Sequence, residues 1–163
     1  MRLRISIIGL LVAGLLSGCT SGGSGNAAPD PITSNGVTVS GPLNAAPVIE
    51  FGADAKPVKD LIAKDIVVGT GAVVTPLSNV EAHYIGYGMN TKAKFDSSWD
   101  HGGPIPFSIN GVIQGWGQGL QGMKVGGRRL LIIPGDLGYG PAGNGSIEPN
   151  ETLVFVVDLT AVS

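Results

Sequence analysis

Val112-Ile113-Gln114-Gly115-Trp116 sets an indole at the start of a short helical stretch. Three other segments offer aromatic side chains: Lys94-Phe95-Asp96-Ser97-Ser98, Gly138-Tyr139-Gly140 and Leu153-Val154-Phe155. Together they suggest a shallow apolar cup floored by Trp116. Such a cup would act by removing water from whatever enters it. The titratable groups it would offer are Asp96, Tyr84 and Tyr139. On residue types alone, Trp116, Phe95 and Phe155 fit ordinary core aromatics better than a pocket, and Asp96 fits a turn cap.

Other chemistries are poorly supplied. The chain of 163 residues has one cysteine and two histidines, too few for a conventional zinc site. Gly69-Thr70-Gly71 is a turn rather than a phosphate loop, because no Lys-Ser or Lys-Thr follows it. A net charge of −2 carries no electrostatic footprint for nucleic acid. With 27 glycines and 11 prolines, the length has room for one domain with a modest core.

Those side chains need a scaffold, and its start is marked. Arg2 and Arg4 precede an apolar run from Ile5 to Leu16, too short to span a membrane comfortably but suited to a secretory signal. Leu16-Ser17-Gly18-Cys19 then resembles a bacterial lipobox. Residues 1–18 are therefore expected to be a lipoprotein signal and Cys19 the lipid anchor, which makes the protein extracytoplasmic and membrane-tethered. Residues 19–47 are expected to form a flexible linker of small and polar residues, in which Val37-Thr38-Val39 could form a transient strand, and 48–163 the domain.

Within the domain, Val48-Ile49-Glu50-Phe51 is a short strand or cover. Strands are expected in Lys59–Val68, Asn79–Tyr87, Lys92–Asp96, Pro104–Ile109, Arg128–Ile133 and Thr152–Leu159. One short helix is expected from Gly115 to Gln121; its glycines each cost about 1 kcal/mol, so packing must hold it. The Gly- and Pro-rich stretch from Pro134 to Asn150 is long enough to be functional. Strands without strand–helix–strand alternation argue an α+β fold, an antiparallel sheet wrapped on a helix.

Alternation along two strands raises a further expectation. Leu131, Ile133, Leu153, Phe155 and Val157 take the inner face, leaving Leu130, Ile132, Val154 and Val156 outside. An apolar patch of that kind needs a cover. Val48 to Phe51 is the nearest candidate.

From Leu61 to Val162 the chain resembles the FKBP-type peptidyl-prolyl cis–trans isomerases, in a bacterial lipoprotein form. The resemblance is carried by His83-Tyr84-Ile85-Gly86, Lys94-Phe95-Asp96-Ser97-Ser98, Val112-Ile113-Gln114-Gly115-Trp116, Gly119-Leu120, Gly122-Met123-Lys124-Val125-Gly126, Tyr139-Gly140 and Thr152-Leu153-Val154-Phe155, in that order. It implies a curled antiparallel sheet of five strands or slightly more, in the order 1-4-5-2-3, around one short helix. It implies catalytic roles for Asp96, Tyr139, Trp116 and Phe155. Substrate contacts are implied for Tyr84, Phe95, Phe107, Val112, Ile113 and Ile147. The prolyl ring would sit on Trp116, with the Ile113 amide and the Tyr139 hydroxyl on substrate carbonyls. The sequence departs from many relatives at Ile105, at His101 and in a shorter loop at Asn110-Gly111.

The resemblance also implies an activity that needs no cofactor and no metal. Its partners would be proline-containing exported polypeptides, macrolides such as tacrolimus or rapamycin, and a membrane through the lipid anchor. The alternative is a lipid-anchored module that holds proline segments with little turnover. An ordinary aspartate titrates at about pH 4 and a tyrosine at about pH 10, so the proposed cup should not change charge between about pH 6 and 8.5. His101 lies on the loop after Asp96, apart from the aromatics, and is expected to leave turnover independent of pH.

Overall fold

The structure, a computed structural model, describes residues 28–163. Cys19 and the signal expected over 1–18 lie outside those residues. The first described elements correct the expected 19–47 linker. Strand β1 (Ile32–Ser34) and strand β2 (Val37–Ser40) form a hairpin, and β3 (Val48–Phe51) pairs on the other side of β2. Asn35 and Gly36 make the two-residue turn, with φ of 48° and 72°. Asn-Gly is a strong short-range hairpin signal, since both turn positions need positive φ. Composition hid it: the flanking Ser, Thr and Gly residues read as linker.

The main sheet has six antiparallel strands: β4 (Ile62–Val67), β5 (Asn79–Gly88), β6 (Lys94–Ser97), β7 (Ile105–Ser108), β8 (Arg128–Ile133) and β9 (Leu153–Val162). The path is β4-β8-β9-β5-β6, with β7 also on β5. Counted within the domain, this is the 1-4-5-2-3 order, with its third strand divided into β6 and β7. Both pieces lie along one edge of β5, β7 beside Asn79–Ala82 and β6 beside Ile85–Tyr87. A short 3-10 turn, Ser98–His101, follows β6 in the break between them.

The helix α1 (Gln114–Gly119) lies against the concave face of the sheet and contacts β8. Its glycines are the reason it can lie so close. A Cβ on Gly115 would overlap the Ile133 side chain, and one on Gly119 would meet Leu131 Cδ2 at 2.8 Å. Low helix propensity is thus exchanged for tight packing on the sheet.

Alternation divides the apolar side chains into two cores. The inner one joins Trp116, Leu120, Leu131, Ile133, Phe155 and Val157 beneath the helix and loops. The outer one joins Val37 and Val39 of the hairpin to Leu130, Ile132, Val154 and Val156. The outer apolar face is covered, as its pattern requires. Ile49 and Phe51 of β3 pack there, but the fully buried residues of the cover come from β2. Each fully buried valine contributes about 1.5–3 kcal/mol, enough to fix a short strand on the sheet.

Candidate active site

A cavity of about 400 Å³ opens on the inner face. Tyr84 from β5, Phe95 and Asp96 from β6, and Phe155 from β9 supply its sheet side. Phe107 from β7, Val112 and Ile113 before the helix, Trp116 on it, and Tyr139 on the β8–β9 loop complete the wall. The spacing works because Tyr84 and Gly86 share the inner face of β5. A Cβ on Gly86 would lie 2.6 Å from the Phe95 ring and 2.7 Å from that of Phe155, so glycine makes room for both rings.

Trp116 is 5% exposed and lies in edge-on contact with three rings. Its ring centre is 5.3 Å from Tyr84, 4.9 Å from Phe107 and 5.2 Å from Phe155, with interplanar angles of 86°, 64° and 86°. Phe95 meets Phe155 in the same way at 5.4 Å. Such pairs are worth about 0.5–1.5 kcal/mol beyond their burial. The rings therefore brace one another, which lets the cup keep its shape around an unfilled centre. Ile113 precedes the first turn, and its carbonyl accepts from the amides of Trp116 and Gly117. Its own N–H stands before the helical ladder begins.

Polar groups gather at Asp96. The Tyr84 hydroxyl donates to Oδ2 at 2.5 Å, the Ser97 amide donates to Oδ1 at 2.8 Å, and His101 Nε2 lies 3.1 Å from Oδ1. Burial pushes the Asp96 carboxyl up, but hydrogen bonds from Tyr84, His101 and the Ser97 amide outweigh it and hold the group below its usual range. Burial, then the hydrogen bond to Asp96 and the negative charge of Asp96, raises the Tyr84 phenol well above its ordinary value. The pair is therefore a neutral phenol donating to a carboxylate, a fixed arrangement near neutral pH.

A family model described as FKBP-type peptidyl-prolyl cis-trans isomerase matches residues 71–160. The chain is 49% identical over 113 residues to the probable FK506-binding protein of Corynebacterium glutamicum, covering 69% of this chain and 95% of that one. It is 49% identical over 120 residues to the FK506-binding protein of Streptomyces anulatus, covering 71% and 96%. The chain belongs to the FKBP-type peptidyl-prolyl cis–trans isomerases. The crystal structure of FkpA from Escherichia coli superposes with a TM-score of 0.61 at 38% identity, over 66% of this chain and 51% of that one. As an isomerase of this family, the chain carries a hairpin, β1–β2, that lies outside the 71–160 match.

Nine of the ten domain residues expected at the site line the cavity together. Ile147 does not. It is 9% exposed and packs in the inner core, on a tight turn that pairs its amide and carbonyl with Asn144. Ile105 and Gly111 line the isomerase cavity without having been assigned to it. Ile105 could have been placed from β7, since it shares a strand face with Phe107. His101 touches Asp96 rather than standing apart, because the 3-10 turn doubles the chain back toward β6. His83 takes the other face of β5. Its Nδ1 lies 3.0 Å from Ser98 Oγ and its ring stacks on Trp99 at 3.7 Å, a contact for which the sequence carried no signal.

Proposed function

We propose that this isomerase turns X–Pro bonds of exported polypeptides within the aromatic cavity, while tethered outside the cytoplasm by a lipid on Cys19. The single observation that carries the site is the cup itself: about 400 Å³ lined by Tyr84, Phe95, Phe107, Trp116, Tyr139 and Phe155, with Asp96 at its wall. The tether rests on Leu16-Ser17-Gly18-Cys19 behind a basic and apolar leader.

The chemistry follows from amide resonance. Rotation about X–Pro crosses a barrier of about 20 kcal/mol because the twisted bond loses that resonance. The planar form carries more negative charge on its carbonyl oxygen, which water stabilises. A cup that excludes water withdraws that stabilisation from the planar form more than from the twisted one. The prolyl ring lies on the Trp116 indole. The Ile113 amide and the Tyr139 hydroxyl hold the flanking carbonyls, so the bond twists while its ends are fixed. No bond breaks, and no nucleophile, metal or cofactor enters. Macrolides that present a ring of prolyl-like size and shape would occupy the same cup, in keeping with relatives named FK506-binding proteins.

A protease-coupled isomerisation assay on proline peptides tests the site. Trp116→Leu, which keeps an apolar floor, should fold and lose tenfold or more in kcat/KM. A folded variant with parental kcat/KM removes the cup as the site of turnover. Retained proline-peptide binding with little turnover in the parent would favour the holding module. Detergent phase partition of Cys19→Ala tests the tether separately: the parent should enter the detergent phase and the variant should stay in the aqueous one.

A further inference from the structure

We propose that His101 is a positioning residue that acts through Asp96, and that its charge state makes turnover in this isomerase rise with pH. The proposal rests on the reading that turnover occurs in the aromatic cavity. His101 lines no part of that cavity. It reaches the site through Oδ1 of Asp96, at 3.1 Å. Tyr84 holds the other carboxylate oxygen, so Asp96 is clamped from two sides and its charge has a fixed place at the wall.

The carboxylate acts on the reaction by its field. The planar X–Pro bond carries more negative charge on oxygen than the twisted bond does. A fixed negative group at the wall disfavours the planar form and so lowers the barrier. An imidazolium beside the carboxylate cancels part of that field, whereas a neutral imidazole leaves it in place. A neutral ring protonated on Nε2 still donates to the carboxylate, so geometry is kept while charge changes.

The groups facing this pair do not share the behaviour. Asp96 is held ionised and Tyr84 is held protonated through neutral pH. Asp100, next to His101 in the chain, is taken by Lys94 at 2.6 Å. The chain has one other histidine, His83, which lies on the opposite face of β5 against Ser98 and Trp99. Histidine is the side chain that ordinarily changes charge between pH 5 and 8. The size is bounded by exposure: the His101 side chain is 60% exposed and that of Asp96 39%, so water screens the pair. An exposed pair of this kind changes an equilibrium or rate by about two- to fivefold.

The test is the kcat/KM profile from pH 5.5 to 8.5, with kcat and KM separated and near-UV dichroism recorded at each pH. The parent should rise about two- to fivefold through a single step carried by kcat. His101→Gln, which keeps a donor but cannot charge, should lose the step and follow the parent's alkaline level. His101→Arg, a permanent cation, should lose the step and follow its acid level. A flat parent profile overturns the proposal, as does a step that survives in His101→Gln or a high level in His101→Arg. Failure of the cup itself would appear elsewhere, as a folded Trp116→Leu variant with parental turnover.

Discussion

Arg128 and Arg129 stand side by side on β8 and point to opposite faces of the sheet. Each holds one carboxylate and two carbonyls. Arg129 pairs with Asp65 and donates to the carbonyls of Gly119 and Gln121, which fastens the end of the helix to the inner face. Arg128 pairs with Asp158 and donates to the carbonyls of Gly41 and Ala45, which fastens the hairpin segment to the outer face. The two layers they fasten differ in kind. The outer layer has a mostly aliphatic buried centre, with Phe51 and Tyr87 only at its margin. The inner layer is aromatic and leaves a cavity of about 400 Å³. Aliphatic side chains pack densely in the outer core, whereas on the inner face rings in edge-to-face contact line the cavity wall. The outer core can therefore carry stability while the inner one keeps room for a substrate.

The largest test of this division removes one side of it. A chain beginning at Leu61 lacks β1 to β3 and uncovers Leu130, Ile132, Val154 and Val156. Dye binding to apolar surface should rise, and stability should fall on the order of 5 kcal/mol, from several buried side chains at about 1.5–3 kcal/mol each. Every cavity-lining residue lies between Tyr84 and Phe155, so kcat/KM at a temperature where the shortened chain stays folded should remain within about twofold. No rise in dye binding, with stability unchanged, would end the idea of a cover.

The arginines sharpen the comparison at single residues. Arg128 is fully buried, and Arg128→Ala strands the Asp158 carboxylate at 7% exposure, a loss of about 3–5 kcal/mol. Arg129→Ala should cost less, about 1–2 kcal/mol, because Asp65 is 37% exposed and water replaces its partner. Urea midpoints for the two variants would show it, and equal losses would contradict the asymmetry.

On the inner face, Tyr139→Phe removes a hydroxyl from the wall without changing its shape. It should raise the barrier in kcat/KM by about 0.5–1.5 kcal/mol and leave the melting temperature unchanged. Parental kcat/KM would take the hydroxyl out of the mechanism.

The smallest effect concerns acid stability. The Asp96 carboxyl is held below its usual range, so it stabilises the fold at pH above the ordinary carboxylate value of about 4. That contribution is lost as pH falls through the lower native value. Partial exposure limits it to less than about 1 kcal/mol. Asp96→Asn should flatten this part of the stability curve, while the opposite face, read through the Leu61 truncation, should not.

Much of the site was legible because its signals are local. Phe95-Asp96 and Val112 to Trp116 are short runs in which neighbours in sequence share a wall. Tyr84 followed from alternation along β5, which set it opposite His83. Ile147 was implied by the family resemblance alone, and a residue in a Gly-rich loop has no period to show which way it faces. Val37-Thr38-Val39 read as no more than a transient strand because its polar flanks outweighed Asn35-Gly36, the pair that carries the turn.

By itself the sequence determined the α+β class, the helix position, the division of β8 and β9 into two apolar faces, and the need for a cover on the outer one. These follow from side-chain period and backbone chemistry, which act over a few residues. Tertiary structure alone decided that β2 supplies the buried part of the cover, that Gly115 and Gly119 are seats for Ile133 and Leu131, and that His101 meets Asp96. Each of these depends on distances between segments far apart in the chain, or on how a turn folds back. Such distances are set by the packing of the whole domain.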